Sequence, residues 1–291
     1  MISVVIVHWN TPDLLAACLR SIQTEREHSG CISDVIVVDC DSDGDACAFA
    51  LKGHGVELLR LERNDGYATG CNAGLARTSS DFILFLNADT ELKPGATGTL
   101  LRCINLNPRI GLVAPLLVNA NGTLQSDGYR FPGVANVLFD LLPLPDRLRG
   151  SRLNGRLDPG NLFHPYTVDY ALGAALLVRR AALDQVGGWP EDYRMYSEEV
   201  DLARRLDEAG WARLLEPRAV VVHHGGASTG QRPVEMQAAL WHSRGKYHRA
   251  WSTRTRQLAI RGTVEIASRM SGNDVDGAEV RRSFAAGLAG R

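Results

Sequence analysis

Short, continuously apolar segments separated by amphipathic ones constrain the fold of this chain most strongly. Val4–Val7, Val35–Val38 and Phe82–Leu86 contain only hydrophobic residues, which is typical of strands covered on both faces. Between the first two segments, Pro12 opens a stretch in which apolar residues recur at helical spacing. This order predicts a β-α-β unit, and therefore an α/β fold whose mostly parallel central sheet is flanked by helices.

Further segments continue this α/β pattern. The other predicted strands are Val56–Leu61, Leu112–Val118, Ala171–Val178 and Leu214–Val222, and helices are predicted at Pro94–Asn105, Arg180–Val186 and Glu198–Ala209. The stretch from 119 to 166 is rich in Gly, Pro, Asn and Asp. Such a composition favours long loops, which in a compact domain are usually functional or mobile.

Composition disfavours several classes of protein. The formal net charge is -1, which argues against bulk electrostatic binding to nucleic acid. No apolar run approaches the ~20 residues that span a bilayer, and the strand-like segment Ile2–Val7 stands where a signal peptide would begin. The six cysteines form no CxxC pair, which disfavours structural zinc and is typical of a reduced, cytoplasmic protein.

Residues 229–291 differ in character from the chain before them. Between Glu235 and Glu265 there is no acid, but basic and aromatic residues alternate there: Trp241, Arg244, Lys246, Tyr247, Arg249, Trp251, Arg254, Arg256 and Arg261. Two interpretations stay open. The segment is either a helical extension whose aromatic side chains pack on the main domain, or a basic, aromatic surface that contacts anionic lipid headgroups.

The strand Phe82–Leu86 is followed by an amide and a carboxylate, Asn87 and Asp89. Ligands of open α/β sheets bind at the carboxyl ends of the strands, and residues two apart on an extended chain point the same way. A Mg²⁺ or Mn²⁺ ion that bridges a diphosphate needs few protein carboxylates. Taken alone, this motif is equally compatible with a turn, because Asn and Asp favour turns.

Acids also follow the second strand, where Asp39 and Asp41 precede Asp43-Gly44. Acids at this position of α/β folds often accept hydrogen bonds from a ribose or a base. Asp39 lies directly at the strand end and is the better candidate for this role. Asp43-Gly44 is more typical of a simple turn.

A third motif contains glycines at four-residue spacing, Gly66, Gly70 and Gly74. This spacing matches neither the dinucleotide-binding fingerprint nor the P-loop, which disfavours NAD and ATP. Small residues at the start of a helix still permit close approach of the backbone to a phosphate or a nucleoside.

Two more motifs lie in the second half of the chain. Ser197 can cap the helix that follows it and precedes three carboxylates within four residues, Glu199 and Asp201 among them. The helix dipole explains one acid there, and a general base is the natural use of another. Two histidines, of which His223 is the first, end the last predicted strand, and a histidine at a strand end can complete a metal site.

The order of these motifs resembles that of family 2 glycosyltransferases, in particular the rhamnosyltransferase-like branch of the inverting GT-A fold. The resemblance extends over about residues 2–228 and rests on five separated motifs. It implies a GT-A catalytic domain over 1–228, with a nucleotide-sugar-binding half (1–118) and an acceptor and catalytic half (119–228). A short helical, basic C-terminal extension (229–291) would follow.

The resemblance also implies roles for individual residues. Asp89 and His223 would bind a Mg²⁺ or Mn²⁺ ion, and Glu199 would be the catalytic base, with Asp201 as the second choice. Asn87 replaces the usual first acid of the metal-binding motif. The expected donor-binding residues are Asn10, Asp39, Asp41, Asn64, Gly66, Tyr67, Asn72, Asn87 and Ala88.

The implied reaction is a single in-line displacement that inverts the anomeric carbon. The similarity of these motifs to those of the rhamnosyltransferase-like branch suggests dTDP-L-rhamnose as the donor. The suggested acceptor is a hydroxyl of a polysaccharide or a lipid-linked glycan. The loops of 119–166, including the apolar segment Val137–Leu142, are expected to select the acceptor. The basic extension would suit peripheral contact with the inner face of the membrane, and no nucleic-acid partner is expected.

Two other functions stay open at this point. A nucleotidyltransferase also uses strand-end carboxylates and Mg²⁺, but residues 5–12 lack the Gly-rich, basic signature that a triphosphate needs. A non-catalytic nucleotide-sugar-binding module would not require both Glu199 and His223, so their substitution discriminates between binding and catalysis. A dehydrogenase is disfavoured by the missing fingerprint.

Overall fold

A mixed β-sheet runs through the centre of the computed structural model, which describes residues 1–44, 47, 51, 53–125, 128–149, 151–157, 163–226, 229–270 and 276–290. The strands of these residues are β1 (Ile2–His8), β2 (Ile32–Cys40), β3 (Glu57–Leu61), β4 (Phe82–Asn87), β5 (Thr90–Leu92), β6 (Ile110–Val118), β7 (Gly128–Tyr129), β8 (Tyr166–Thr167), β9 (Tyr170–Ala171), β10 (Ala175–Arg179) and β11 (Ala212–His223). Strands β7 and β9 form a separate pair.

The order of the strands across the sheet is β3-β2-β1-β4-β10-β6-β11-β5, with β8 beside β11. The first four are parallel neighbours, as the β-α-β pattern predicts. In the other half, β10 runs antiparallel between β4 and β6, and β11 is parallel to β6. The register pairs His8 with Asp39 and Val7 with Asn87, so the carboxyl ends of β1, β2 and β4 are level.

Helices cover both faces of the sheet, as predicted. They are α1 (Pro12–Ser29), α2 (Tyr67–Leu75), α3 (Ala96–Ile104), α4 (Val134–Leu141), α5 (Asp146–Arg149), α6 (Arg180–Val186), α7 (Glu198–Glu208), α8 (Pro233–Trp251), α9 (Arg254–Ala267) and α10 (Gly277–Ala289). On one face, Leu19 of α1 and Leu100 of α3 are buried in one cluster with Val4. On the other, Ala182 of α6 and Leu206 of α7 belong to a second cluster. Each buried leucine contributes about 1.5–3 kcal/mol.

The chain between 119 and 166 is more regular than its composition predicts. Its described residues include α4, α5 and a 3₁₀ turn at Arg152–Asn154, so the prediction of long loops is wrong there. Val137 and Leu141 of α4 are buried against side chains of the C-terminal helices. These two residues of the segment Val137–Leu142 therefore face a core and do not contact an acceptor.

The C-terminal helices α8, α9 and α10 share a core with α4. Trp241 and Phe284 are buried in it, and Tyr247 is buried in a neighbouring cluster. Nε1 of Trp251 donates a hydrogen bond to Oδ1 of Asp201 (3.1 Å). The aromatic side chains of the extension thus pack inward, as the first of the two interpretations predicts.

Neither a disulfide nor a helix suited to crossing a bilayer is found in the described part of the chain. The cysteines are free there, and most of them are buried. The described helices are too short or too polar to span a membrane. Burial raises the pKa of the Cys18 thiol to about 12, so this group stays protonated and acts as a small apolar core residue.

Gly70 and Gly74 bring α2 close to the sheet. A Cβ atom at Gly70 would lie 2.8 Å from Cγ1 of Val7, and one at Gly74 would overlap Cγ1 of Val5. Both glycines therefore serve helix–sheet packing, and the expectation that they admit a phosphate or a nucleoside is wrong. Gly66, the first of the three, lines the cleft at the sheet edge instead.

Replacing Gly74 by Ala tests this packing. The added methyl group would collide with the buried side chain of Val5, and we expect the free energy of unfolding in urea to fall by about 1–3 kcal/mol. Gly262→Ala in α9 is the matched control, because nothing lies within 4 Å of a Cβ there. It should cause no loss and a gain of up to about 1 kcal/mol from helix propensity. Equal losses in both variants would contradict the packing role.

Candidate active site

A cleft of about 550 Å³ opens at the edge where β1, β2 and β4 end. Most of the residues predicted for the site line it. They are Asn10, Asp41, Asn64, Gly66, Tyr67, Asn87, Ala88, Asp89, Glu199 and His223. Asp39, Asn72 and Asp201 do not belong to this lining, and each is held by partners elsewhere.

The backbone is strained next to the cleft. Among the described residues other than glycine, positive φ occurs at Asn10, Asp41, Tyr196 and Ser197, between 52° and 68°. Asn and Asp tolerate this conformation, whereas at Tyr196 and Ser197 it costs about 1–3 kcal/mol of conformational energy each. Ser197 makes no side-chain hydrogen bond to the end of α7, so its predicted capping role is wrong. The strained pair lies immediately before the acids that begin α7.

Asp89 and His223 face each other in the cleft. Nε2 of His223 lies 3.5 Å from Oδ1 of Asp89, and both side chains are about nine-tenths buried. Pairing of β11 with β5 and a hydrogen bond from the N–H of His224 to the carbonyl of Asp89 (2.9 Å) bring them together. A carboxylate and an imidazole at this spacing suit a divalent cation. Ala227 and Ser228, which follow the histidine motif, lie outside the described residues.

Asn87 is the last residue of β4, and its backbone is engaged on both sides. Its N–H donates to the carbonyl of Ala174 (2.9 Å), and its carbonyl accepts from Oγ1 of Thr90 (2.7 Å). Asn87 also lines the cleft, where its side-chain amide can contact a ligand. Because an amide oxygen carries no net charge, Asp89 is the anionic group of this motif.

Glu198 and Glu199 line the cleft from the first turn of α7. Glu198 is 5% exposed, and its Oε2 has no hydrogen-bond partner among the described residues. Burial, reinforced by the neighbouring Glu199, raises the pKa of Glu198 well above its usual value. Burial also raises the pKa of Glu199 to about 7, although backbone N–H groups oppose the rise. A carboxyl with such a pKa is suited to accept a proton near neutral pH.

Glu199 packs against the chain at Gly173, where a Cβ would lie 3.4 Å from Cβ of Glu199. Gly173 occupies the gap between β9 and β10, so the predicted strand Ala171–Val178 is interrupted there. Oη of Tyr67 donates to the carbonyl of Gly173 (3.0 Å), and the ring of Tyr67 meets Trp189 edge to face. Tyr67 therefore supports the segment on which Glu199 rests.

Asp201 is directed away from the cleft. Its Oδ1 accepts hydrogen bonds from Nε of Arg205 (2.9 Å) and Nε1 of Trp251 (3.1 Å), and the residue is 3% exposed. Residues two apart on a helix do not share a face, so Asp201 cannot point where Glu199 points. The structure thus places Asp201, the second choice for the base, outside the cleft lining, where it ties α7 to α8.

Asp39 is the second-last residue of β2, one residue before the strand ends, and it is paired within the protein. Nδ1 of His8 lies 3.2 Å from Oδ1 of Asp39, and Nε of Arg60 lies 3.4 Å from Oδ2. Burial opposes ionisation, but hydrogen bonds from His8 and Ser42 and the charge of Arg60 outweigh it and lower the pKa of Asp39. Asp39 thus holds His8 and Arg60 at the sheet edge. Asp41, in contrast, lines the cleft.

His8, Asp39 and Cys47 are close enough to hold a metal ion, with ligand atoms within 4.8 Å of one another. The ring of His8 is already engaged, because the N–H of Thr11 donates to Nε2 (3.1 Å) and Nδ1 faces Asp39. Burial raises the pKa of the Cys47 thiol to about 12. His8 thus already joins Asp39 to Thr11 by hydrogen bonds beside this thiol.

Asn72 anchors a loop and does not line the cleft. Its Nδ2 donates to the carbonyl of Trp189 (2.9 Å) and to Oε1 of Glu191 (2.6 Å), and its Oδ1 accepts from the N–H of Trp189 (2.9 Å). Gly188 has φ +79°, and a Cβ there would lie 2.8 Å from Oδ1 of Asn72. Asn72, predicted to bind the donor, is thus placed with its amide hydrogen-bonded to this loop.

Gly66 lets two walls of the cleft touch. It has φ +113°, and a Cβ there would overlap the carbonyl of Arg194. Oδ1 of Asn64 accepts a hydrogen bond from the N–H of Gly66 (3.2 Å). Only glycine satisfies both the positive φ and this close approach.

Part of the cleft lining comes from the C-terminal extension, which none of the sequence motifs predicts. The residues concerned are Arg232, Glu235 and Met236. The guanidinium of Arg232 lies 5.2 Å from the ring centre of Trp9, and Nε2 of Gln231 donates to the carbonyl of Asn10 (3.3 Å). These contacts join residues more than two hundred positions apart, so no local pattern could have revealed them.

Solved structures share this fold. The mannosyltransferase PcManGT from Pyrobaculum calidifontis, in complex with GDP-Man and Mn²⁺, matches with a TM-score of 0.59 at 14% identity, over 99% of this chain and 74% of that one. GalNAc-T7 with UDP, GalNAc and Mn²⁺ matches with a TM-score of 0.64 at 15% identity, over 99% and 54%. The fold is therefore that of the GT-A glycosyltransferases.

Sequence comparison identifies the family. The profile of "Glycosyl transferase family 2" matches residues 3–187, and the chain belongs to this family. It is 30% identical over 272 residues to the N-acetylglucosaminyl-diphospho-decaprenol L-rhamnosyltransferase of Mycobacterium tuberculosis, covering 86% of this chain and 85% of the relative. The pre-mycofactocin glycosyltransferase of the same species is 33% identical over 199 residues, covering 65% and 37%. The resemblance to the rhamnosyltransferase-like branch is confirmed.

Proposed function

We propose that this protein is an inverting, metal-assisted glycosyltransferase in which Glu199 is the base and Asp89 and His223 hold the ion. The observation that carries this proposal is that the carboxyl of Glu199 and the Asp89–His223 pair line one cleft. An in-line displacement needs both functions in one site, because the acceptor hydroxyl loses its proton while the diphosphate departs.

Glu199 is the group best suited to act as the base. Its pKa of about 7 provides carboxylate at neutral pH and keeps that carboxylate basic enough to take a proton from a hydroxyl. Glu198 beside it is 5% exposed, and burial raises its pKa further, which makes it the less suitable of the two carboxyls. Glu199 takes the proton as the acceptor oxygen attacks the anomeric carbon. This single displacement inverts the configuration of that carbon.

Asp89 and His223 fit a Mg²⁺ or Mn²⁺ ion. One carboxylate, one imidazole nitrogen and the neutral amide of Asn87 form a donor set that phosphate oxygens can complete. When bound, the ion would neutralise charge on the departing diphosphate. Arg194 and Arg232 also line the cleft and would contact the same phosphates. The Mn²⁺ complexes of PcManGT and GalNAc-T7 support a metal in this fold.

The donor that we propose is dTDP-L-rhamnose, and the acceptor is a hydroxyl of a lipid-linked N-acetylglucosamine or of a related cell-wall polysaccharide. The name of the mycobacterial relative specifies both the L-rhamnosyl group and the decaprenol-linked acceptor. Asn10, Asp41, Asn64 and Tyr67 line the cleft and would contact the donor. Neither a nucleotidyltransferase nor a non-catalytic module finds support in the relatives, which are glycosyltransferases.

Glu199→Gln should lower kcat by about 10²–10⁴-fold with little change in donor affinity, because the base acts only on the acceptor. In the wild type, kcat should rise with pH through about 7, since only the deprotonated carboxyl accepts a proton. The measurement is transfer from radiolabelled dTDP-L-rhamnose to a polyprenyl-diphospho-N-acetylglucosamine between about pH 5 and about pH 9.

Asp201→Asn is the matched control for Glu199→Gln. It keeps an acceptor for Trp251 and removes only the charge that faces Arg205. We expect it to retain wild-type kcat and pH dependence. The assignment would be refuted by substantial turnover of Glu199→Gln, and the whole proposal by a wild-type protein that transfers no sugar from any nucleotide sugar tested.

We further propose that the exposed face of α9 contacts anionic lipid at the inner face of the membrane. Leu258 and Ile266 are 63% and 65% exposed, and Met270 just beyond the helix is 61% exposed. Their spacing places them on one side of the helix. Arg254 and Arg261 are also exposed, and neither has an ion-pair partner among the described residues. Exposed apolar groups bordered by arginines are typical of helices that lie in the lipid interface.

Co-sedimentation with vesicles tests this surface. The protein should bind phosphatidylcholine vesicles that contain phosphatidylglycerol and not vesicles of phosphatidylcholine alone. Leu258→Asp combined with Ile266→Asp should abolish binding, whereas Leu106→Asp, at an apolar residue that is 68% exposed outside α9, should not. Equal binding by both variants, or a wild type that stays in the supernatant, would rule this surface out.

A further inference from the structure

Gln125 joins the turn after β6 to the histidine of the proposed metal site. Its Oε1 lies 2.9 Å from Nδ1 of His223, and its Nε2 donates to the carbonyl of the same residue (2.7 Å). Nε2 also donates to Oδ1 of Asn119 (2.7 Å). The sequence carries no signal for this contact, because a single amide in a loop follows no period or motif.

The orientation of the Gln125 amide is determined by its partners. Oγ1 of Thr123 donates to Oδ1 of Asn121 (2.6 Å) and accepts from Nδ2 of Asn119 (2.8 Å), so Oδ1 of Asn119 faces Gln125 as an acceptor. The carbonyl of His223 is an acceptor as well. A reversed amide would place its oxygen against both acceptors, so Nε2 faces them and Oε1 faces the imidazole ring.

This orientation selects the nitrogen of His223 that carries the proton. Oε1 of Gln125 can only accept, so Nδ1 of the neutral ring is protonated and Nε2 keeps its lone pair. Nε2 lies 3.5 Å from Oδ1 of Asp89, so an uncharged acceptor faces an anionic one. Such an arrangement is repulsive until a cation lies between the two atoms.

We propose that Gln125 is a positioning residue that holds His223 in the Nδ1-protonated tautomer and keeps Nε2 available to a divalent cation shared with Asp89. The inference rests on the proposed function in one respect, the assignment of Asp89 and His223 as the ligands. In the other tautomer, Nε2–H would donate a hydrogen bond to Asp89. The imidazole nitrogen and the carboxylate would then be bonded to each other and not available to the ion. Gln125 disfavours that state, because Nδ1 would then present a lone pair to Oε1.

The tautomer can be measured in the metal-free protein from histidine ¹⁵N chemical shifts. In the wild type, Nδ1 of His223 should show the shift of a protonated nitrogen and Nε2 that of an unprotonated one, with the signals assigned by their absence in His223→Gln. Gln125→Met keeps the length of the side chain but cannot donate and accepts only weakly, so the two tautomers should become mixed. A wild-type ring protonated on Nε2 alone would overturn the inference.

Mn²⁺ affinity in the presence of dTDP gives a second readout, from the electron paramagnetic resonance signal of free Mn²⁺. Gln125→Met should weaken binding by about 10–100-fold, as is usual for loss of the partner of a metal-ligating histidine. Leu124→Ala, at the half-exposed neighbour on the same turn, is the matched control and should bind Mn²⁺ like the wild type. Unchanged affinity in Gln125→Met would overturn the inference.

His223→Gln distinguishes a failure of the role of Gln125 from a failure of the proposed metal site. Loss of Mn²⁺ binding in His223→Gln but not in Gln125→Met rejects the role of Gln125 alone. Unchanged Mn²⁺ binding in His223→Gln rejects the proposed metal site itself. Circular dichroism checks the fold of each variant, and Gln125→Ala is measured in the same way if the methionine variant does not fold.

Discussion

The carboxyl ends of three parallel strands lie level with one another, and this alignment determines where the site forms. The register of β1, β2 and β4 pairs His8 with Asp39 and Val7 with Asn87, and the apolar residues of these strands are buried on both faces. A buried backbone must find its hydrogen bonds within the ladder, so a shift of one strand would leave groups unpaired. The polar residues that follow the strands therefore stay together at one edge, where the cleft opens.

This constraint also explains how much could be predicted from the sequence. Continuous apolar runs are enough to predict the first strands, and the strand-end rule places Asp89 at the sheet edge. The rule does not say which way a polar side chain turns once it belongs to a helix. Asn72 and Asp201 are as polar as the residues that line the cleft, but their positions on α2 and α7 direct them to Trp189 and Arg205.

The remaining differences come from contacts between distant parts of the chain. Gln125 reaches His223 from a turn 98 residues earlier, and Arg232 of the extension stacks on Trp9 at the end of the first strand. The left-handed backbone at Ser197 is likewise imposed by its surroundings, since the residue itself favours a capping conformation. The C-terminal helices therefore contribute to the site itself. They contact α7 through Trp251 and Asp201, and they supply one side of the cleft lining.

The anomeric configuration of the product shows whether the sugar is transferred in a single displacement. The protein would be incubated with dTDP-L-rhamnose and a polyprenyl-diphospho-N-acetylglucosamine, and the new linkage would be assigned by NMR relative to the donor. We expect inversion, because one oxygen enters as the diphosphate leaves from the opposite side. Retention would contradict it, since a single displacement from the face opposite the leaving group cannot leave the configuration of the anomeric carbon unchanged.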